Sequence, residues 1–390
     1  MDIRQKLLKK IAALKPAILE TSRFVHSHPE EGYQEKECSR FLAAALAKQG
    51  FRVEKPLAGL ATAFRASRRG PRPGPAIGFI AEYDCLPDIG HGCGHNLIAA
   101  AAFGAASALA DCLRETGGSV WVFGTPAEEY GGAKVPMLKA RVFAPAQAII
   151  MAHPESFWVV NTGSLALDAI QFEFRGRPSH AAGTPWEGRN ALDAVIGLFN
   201  NISALRQQLK PDVRVHGIIT RGGSAPNIIP DHTEARFYVR AKLRRELDQV
   251  TARIRACARA AALAAGCRVK IREYEPALDD IVNNPVLAEV VDRQLRSVGV
   301  KDIAPDDPFP GSADLGNVSQ CVPTVYFYCA TAPRGMDVHT REFARQSISD
   351  QAHQGLLTAI QALALSGLEL LRRPGLVKKA WDIHQRSVSR

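Results

Sequence analysis

The stretch AIGFIAEYDCLPDIGHGCGHNLIAAAAFGAASALA, residues 76–110, decides the fold. Its first part, 76–84, is short, apolar and preceded by Gly and Pro, which predicts a buried β-strand. Its last part opens an Ala-rich segment, 96–115, that predicts a long helix. The loop between them, GHGCGHN at 90–96, sets two histidines and a cysteine among glycines. A strand, a loop and a helix in this order predict an α/β layer, here with ionisable side chains in the loop.

The neighbouring segments continue the α/β pattern. Apolar residues at helical spacing predict helices over about 3–28 and 34–50. Short apolar runs bounded by turn residues predict strands at 61–67 and within 117–129 and 146–154, the last two ending in loops. This alternation predicts an α/β domain with a mostly parallel central sheet.

The pattern changes near residue 166, where apolar and polar side chains begin to alternate with period two. Two amphipathic helices and three further strands follow in the order β-α-β-β-α-β, which is the ferredoxin-like order. The α/β pattern then returns. We therefore predict a discontinuous α/β domain, 1–165 with 281–390, and an inserted ferredoxin-like α+β domain over 166–280.

Composition restricts the class of protein. Of the 390 residues, 46% are hydrophobic and 23% charged, as in ordinary soluble proteins. The net charge of +10 comes from scattered Arg and Lys without a basic stripe between aromatics, so we expect neither a nucleic-acid nor a membrane partner. The eight cysteines lie in apolar surroundings and no signal-peptide pattern is recognisable, which predicts reduced thiols and a cytoplasmic location.

Ionisable side chains recur in the loops after the predicted strands. Loops that follow parallel strands converge at one edge of a sheet. Thiolate, imidazole and carboxylate bind divalent ions, and two such ions can polarise a carbonyl and activate water. Each residue alone has an ordinary structural explanation, but their joint occurrence in chain order favours a metal site. The residues are Asp84, His91, Cys93, His95, Glu128, Glu129, His153, Glu155, Asp337 and His339.

The sequence resembles peptidase family M20, within its amidohydrolase branch. The hallmark of that branch is His-x-Cys-Gly-His followed by Asp or Asn, present as HGCGHN at 91–96. The branch also has a Glu-Glu pair and two separate metal histidines, which match 128–129, His153 and His339. The segments YDCLPDIGHGCGHNLIA and GSADLGNVS are most similar to the p-aminobenzoyl-glutamate hydrolase and β-alanyl-lysine dipeptidase groups. The resemblance covers nearly the whole chain, including the insert.

This resemblance implies a metal-dependent amidohydrolase that cleaves a small-molecule amide, either an N-acyl or N-aroyl amino acid or a small dipeptide. It implies Glu128 as the general base and Asp84 as an acidic residue that orients a ligand. It also implies two divalent metal ions, zinc or manganese. Their expected ligands are Cys93, His95, Glu129, His153 and His339.

The insert carries three further residues that match the family. His180 resembles the His that stabilises the oxyanion, and Asn227 and Arg240 resemble contacts to polar groups of the substrate, often a carboxylate. Without the resemblance, His180 would be explained as a hydrogen-bonded loop residue and Arg240 as a charged residue on the protein surface. The resemblance further implies that the insert acts as a lid and dimerisation domain in a homodimer.

Two positions depart from the residue pattern of the branch. Ala313 stands where many members have Glu, and Asn96 stands in place of the commoner Asp.

Two other functions are alternatives to amide hydrolysis by a metal enzyme. One alternative is a non-catalytic metal- or ligand-binding descendant, which the presence of Glu128 disfavours. Another is a hydrolase with Cys93 as nucleophile and His95 as base. It is disfavoured because partners at i and i+2 around a Gly rarely face each other without a third orienting group.

Overall fold

The computed structural model describes residues 2–305 and 311–388. Contacts divide the chain into two compact units, Met1–Gly163 with Ile281–Arg390, and Ser164–Asp280. The first unit is an α/β layer and the second an α+β layer.

Helices and strands alternate along both units. In chain order, the helices of the described residues are α1 (Ile3–Ser27), α2 (Lys36–Lys48), α3 (His95–Ala110), α4 (Leu113–Thr116), α5 (Lys134–Lys139), α6 (Ala191–Leu205), α7 (Arg244–Ala264), α8 (Pro285–Ser297), α9 (Leu315–Ser319), α10 (Arg341–Gln346), α11 (Asp350–Arg372) and α12 (Pro374–Val388). The strands are β1 (Arg52–Glu54), β2 (Phe64–Arg69), β3 (Ala76–Glu82), β4 (Ser119–Thr125), β5 (Ala148–Glu155), β6 (Trp158–Val159), β7 (Ala166–Arg175), β8 (Arg214–Arg221), β9 (His232–Ala241), β10 (Arg268–Glu273), β11 (Ile303–Ala304) and β12 (Thr324–Ala330).

The sheet of the first unit has the order β1-β2-β4-β3-β5-β12-β6-β11. Its central strands β4, β3, β5 and β12 are parallel. Towards the edges, β2 pairs antiparallel with β1 and with β4, and β6 pairs antiparallel with β12. The sheet is therefore mixed, with parallel strands at its centre as predicted and antiparallel pairs towards its edges. The short connection between β1 and β2 is the physical reason at one edge, since parallel neighbours need a long crossover.

Helix α3 lies at the centre of the first unit and is buried along its whole length. Its small side chains allow close packing, and a Cβ at Gly104 would lie 2.9 Å from the side chains of Ile18 in α1 and Ile360 in α11. The predicted helix over 96–115 is interrupted at Asp111, whose carboxylate pairs with Arg68 and Lys10. Because α3 begins at His95, its packing fixes the end of the GHGCGHN loop.

Helix α11 is long and apolar enough to be compared with a membrane-spanning helix. However, 72% of its most apolar window is buried inside the protein. It packs against α1, α3 and α8, which is the environment of a core helix.

The second unit is a four-stranded antiparallel sheet, fully described, with the order β10-β7-β9-β8. Helices α6 and α7 pack on each other and on β7 and β9. Alternate side chains, such as Phe172 and Phe237, form its core, while Gln171 and Arg236 occupy the opposite face. This order and the β-α-β-β-α-β connectivity are those of a ferredoxin-like fold.

Candidate metal centre

Four segments at one edge of the first unit carry the ligands that the resemblance implies. They follow or end the strands β3, β4, β5 and β12, which run parallel and side by side. Because the carboxyl ends of parallel strands lie at the same edge, these segments converge. The side chains brought together are Cys93, His95, Glu128, Glu129, His153 and His339.

The glycines of the GHGCGHN loop allow this convergence. Gly94 has a φ of 76°, in the left-handed region, and a Cβ there would lie 2.9 Å from the side chain of Pro154. The carbonyl oxygen of Gly92 accepts a hydrogen bond of 2.8 Å from the main-chain N–H of His339. The cysteine loop can therefore pack directly against the segments that carry the other histidines.

The imidazoles of His95 and His153 each direct Nε2 towards the other donors. Nδ1 of His95 lies 3.0 Å from both the carbonyl oxygen and Oδ1 of Asp84, and Nδ1 of His153 lies 2.8 Å from the carbonyl oxygen of Pro154. Because these partners are acceptors, Nδ1 of each ring carries a proton. Nε2 of His153 lies 3.4 Å from Sγ of Cys93, and burial lowers the pKa of His153 to about 3, so this imidazole is neutral.

The sulfur of Cys93 belongs to two groups of donor atoms. One group contains His95 and His153, and the other contains Glu129 and His339; within each group the donor atoms lie within 4.8 Å of one another. Oε1 of Glu129 lies 3.8 Å from Nε2 of His95, and its Oε2 lies 3.6 Å from Nε2 of His339. A thiolate common to two groups is well placed to be shared by two cations.

Asp84 supports two of these donors from behind. Its Oδ1 accepts a hydrogen bond from Nδ1 of His95, and its Oδ2 accepts one of 2.9 Å from the main-chain N–H of Glu129. Burial raises the pKa of this carboxyl group, but His95, the N–H of Glu129 and the charge of Lys134 together lower the pKa below its usual value, so Asp84 is ionised at neutral pH. A carboxylate that orients an imidazole in this way fixes its tautomer and increases its basicity.

A buried ion cluster beside the centre was missed by sequence reasoning. Nζ of Lys134 lies 2.6 Å from Oε1 of Glu82 and 2.5 Å from Oδ1 of Asp314, and the three side chains are at most 2% exposed. Oε2 of Glu82 lies 3.6 Å from Nε2 of His95. Glu82 had a signal, because an ionisable residue inside an apolar strand must be paired when buried. Lys134 had none, since its partner Asp314 is 180 residues away.

The centre concentrates acidic groups in a buried space. Burial raises the pKa of Glu128 well above its usual range, and the charges of Glu82, Glu129 and Asp314 raise it further. Burial also raises the pKa of Glu129 to about 7 and that of the Cys93 thiol well above its usual range. Buried acidic side chains with raised pKa values are ionised at neutral pH only when a further positive charge lies beside them.

The donor set fits a divalent metal ion. Nε2 of His95 and Oε1 of Glu129 are buried and have no hydrogen-bond partner among residues 2–305 and 311–388. Buried polar atoms without a partner are rare and costly, and these two lie among further donors. Thiolate, imidazole and carboxylate together suit zinc, and the imidazoles and carboxylates also suit manganese.

His91 and Asn96, which flank the motif, have structural contacts instead. Nε2 of His91 lies 2.9 Å from the carbonyl oxygen of Val25, and His91 belongs to neither of the donor groups around Cys93. Nδ2 of Asn96 donates to Oγ of Ser22 at 3.0 Å, within α1. Both side chains thus tie the cysteine loop to the N-terminal helix.

The second unit contains the three residues predicted in the insert. His180 is exposed, and its Nδ1 accepts a hydrogen bond of 2.9 Å from the N–H of Gly183, so its proton is on Nε2. The carbonyl oxygen of Asn227 accepts from the N–H of the residue after His180 at 3.0 Å, so the two lie on adjacent segments. Arg240 lies on β9 with its guanidinium 5.6 Å from the ring centroid of Tyr238.

Another group of potential donors lies on the sheet of the second unit. Nε2 of His232 is 3.3 Å from Oε1 of Glu173 and 3.1 Å from Oε1 of Glu234. The same oxygen of Glu173 lies 2.5 Å from Nη2 of Arg175. Because a guanidinium already neutralises that oxygen, we assign this group to an ion-pair network.

Comparison with known proteins places these residues in context. The model of peptidase family M20/M25/M40 matches residues 78–362, a range that contains all the donors around Cys93. The Xaa-Arg dipeptidase of Mus musculus is 38% identical over 376 residues, covering 92% of this chain and 86% of the mouse protein. A p-aminobenzoyl-glutamate hydrolase chain of Escherichia coli (strain K12) is 27% identical over 437 residues, covering 93% of this chain and 90% of the bacterial one. A Bacillus subtilis structure described as a dinuclear metal binding peptidase from the M20 family has a TM-score of 0.68 at 21% identity, covering 92% of this chain and 99% of that one.

Proposed function

The chain belongs to peptidase family M20/M25/M40, and from this premise we propose that it cleaves the amide bond of an N-acyl or N-aroyl amino acid or of a related small dipeptide. The membership confirms the resemblance in the sequence, and with it metal-dependent hydrolysis of amide bonds. A non-catalytic descendant is not favoured, since the relatives are named as hydrolases. Our proposal concerns the chemical identity of the acyl and amine groups of the substrate.

The observation that carries the proposal is the position of Cys93 between two groups of metal donors. Its sulfur lies within 4.8 Å of donor atoms of His95 and His153 on one side and of Glu129 and His339 on the other. This arrangement supports two divalent ions with a shared ligand. A dinuclear site suits amide hydrolysis, because a carbonyl oxygen and a water molecule must be activated together.

Two bound ions would polarise the amide carbonyl and lower the pKa of the attacking water. Glu128 has Oε2 3.8 Å from Nε2 of His95, at the border of the donor set. It accepts the proton of the water and delivers it to the leaving amine nitrogen. Glu129 would hold a metal ion, so the adjacent carboxylates would divide the two tasks. His180 carries its proton on Nε2 and can donate a hydrogen bond to an oxyanion; this role, which the resemblance implies for it, stays a prediction.

The relatives support a substrate whose amine half is an amino acid. One is named as a dipeptidase for Xaa-Arg and another as a hydrolase of p-aminobenzoyl-glutamate. A dipeptide with a C-terminal Arg and p-aminobenzoyl-glutamate share a carboxylate next to the scissile amide nitrogen. We assign recognition of that carboxylate to Arg240, because a guanidinium can hold it with two parallel hydrogen bonds.

Replacement of Arg240 by Ala should lower kcat/KM by roughly 10- to 150-fold, mainly through KM, because one charge-assisted contact of about 1.5–3 kcal/mol is lost. The loss should be seen with a free carboxylate and be much smaller with the matching substrate amide, which has no charge to bind. Steady-state kinetics on the two substrates measure this difference. An equal loss on both would remove Arg240 from carboxylate recognition.

A hydrolysis screen with defined metal content tests the proposed function. Protein stripped with a chelator should be inactive, and zinc or manganese supplied separately should restore activity at about two ions per chain. Substrates should include Xaa-Arg and Xaa-Lys dipeptides, p-aminobenzoyl-glutamate, and acetyl- and benzoyl-amino acids. Turnover by verified metal-free protein, or none of these amides cleaved with either metal, would contradict the proposal.

A further inference from the structure

The segment Gly32–Glu35, between α1 and α2, lies against the loop Ala127–Gly131 that carries the Glu-Glu pair. We propose that this segment holds the loop in its reactive conformation, with Glu35 as a positioning residue for Glu128 and Glu129. This inference rests on the proposed function for its catalytic consequence. The contacts themselves do not depend on that function.

Glu35 makes the central contact. Its side chain is fully buried, and Oε1 accepts hydrogen bonds from the main-chain N–H of Ala127 at 2.8 Å and of Tyr33 at 2.9 Å. Ala127 immediately precedes Glu128, so this bond sets the direction in which the loop leaves β4. A buried carboxylate joining two segments is costly to leave without its donors, which makes the contact specific.

Two further contacts fix the loop from the same side. The hydroxyl group of Tyr33 donates a hydrogen bond of 2.8 Å to the carbonyl oxygen of Gly131. Gly32 approaches so closely that a Cβ there would lie 2.9 Å from the carbonyl oxygen of Tyr130 and 3.0 Å from Cβ of Ala127. The segment thus touches both ends of the loop, on either side of the acidic pair.

The loop needs such support because its backbone conformation is energetically unfavourable. Ala127 has a φ of 51° and Tyr33 a φ of 66°, both in the left-handed region that non-glycine residues rarely occupy. Conformations of this kind persist only when their surroundings determine them, and the bond to Glu35 joins the two strained residues. Loss of that bond should let Ala127 relax and move Glu128 and Glu129 away from the other donors.

The test compares Glu35→Ala with Glu35→Gln in the metal-loaded full-length protein. Burial raises the pKa of Glu35 to about 7, so the neutral carboxyl that Gln imitates is already well populated near neutrality. Glu35→Ala should increase amide hydrogen exchange in peptides covering 126–133 by roughly tenfold or more. It should also lower kcat by roughly 10- to 100-fold, with a smaller change in KM, because misplacing a catalytic group is this costly. Glu35→Gln should restore both values to near those of the unmodified protein.

Glu30→Ala is the matched control, because Glu30 lies two residues before this segment and also accepts main-chain hydrogen bonds. Its oxygens bind the N–H groups of Glu37 and Cys38 at the start of α2, not the catalytic loop. It should increase exchange in α2 and leave 126–133 and kcat unchanged. Unchanged exchange of 126–133 in Glu35→Ala, or equal opening in Glu30→Ala, would overturn the inference. If no amide is hydrolysed at all, the proposed function fails while the exchange data still decide whether Glu35 holds the loop.

Discussion

Replacement of Glu128 by Gln should lower kcat by roughly 10²- to 10⁴-fold while the protein keeps its bound metal. Gln has the same size and can accept a hydrogen bond, but an amide cannot take a proton from water and return it to an amine. Glu128 lies at the border of the donors around Cys93, with Oε2 3.8 Å from Nε2 of His95. Its loss should therefore affect proton transfer more than metal binding. Single-turnover kinetics and metal analysis of the same sample measure the two effects.

Glu129→Gln is the control for this experiment, because the two residues are adjacent in the chain and have the same carboxylate side chain. Oε1 of Glu129 is buried and has no hydrogen-bond partner in the described part of the chain, and its Oε2 faces His339. This variant should weaken metal binding, and added metal should recover part of its activity. If Glu128→Gln kept full turnover, Glu128 would not be the base; if it lost metal as Glu129→Gln does, it would be a ligand.

The clustering of the potential metal donors could be predicted because these residues follow strands that the sequence makes recognisable. Apolar runs at 76–84 and 146–154 predict strands, and β3 and β5 form there. The convergence of parallel strand ends then brings Cys93 and His153 together across 60 residues of chain, with 3.4 Å between Sγ and Nε2. The order of strands and donors along the chain predicts that these side chains meet, whereas their assignment as metal ligands came from the resemblance to the family.

Other features could not be predicted from one sequence, for physical reasons. The strands β6 and β11 have two residues each, too few to show any periodicity, and they form only by pairing with distant chain. The side chain of Glu82 points towards the metal donors because of its position in β3. A shift of one residue in the register of this strand would place the side chain on the opposite face of the sheet. Contacts such as that of Glu35 with the N–H of Ala127 depend on loop conformation, for which residue type gives little information.

Lys134 should contribute strongly to the stability of the first unit. Its ammonium group is fully buried between Glu82 and Asp314, and its main-chain N–H also binds Oδ2 of Asp314 at 3.0 Å. The cluster joins β3, the start of α5 and the start of α9 beneath the metal donors. Removing the cation leaves two buried carboxylates without a positive partner. In the unmodified protein, close pairing of both carboxylates with the ammonium group offsets the free-energy cost of burying these charges.

Lys134→Met should therefore lower the free energy of unfolding by about 3–5 kcal/mol, although Met nearly preserves the volume. Urea denaturation at fixed metal content measures this. Lys6→Met is a matched control, because Nζ of Lys6 also lies 2.6 Å from a carboxylate, that of Glu115, but the two side chains are 48% and 46% exposed. That variant should change stability little, since water and salt already screen the pair. Adding Asp314→Asn to Lys134→Met should recover part of the loss, because one unpaired charge is removed. A loss in Lys134→Met no larger than in Lys6→Met, or no recovery in the double variant, would show that uncompensated buried charge is not the cause.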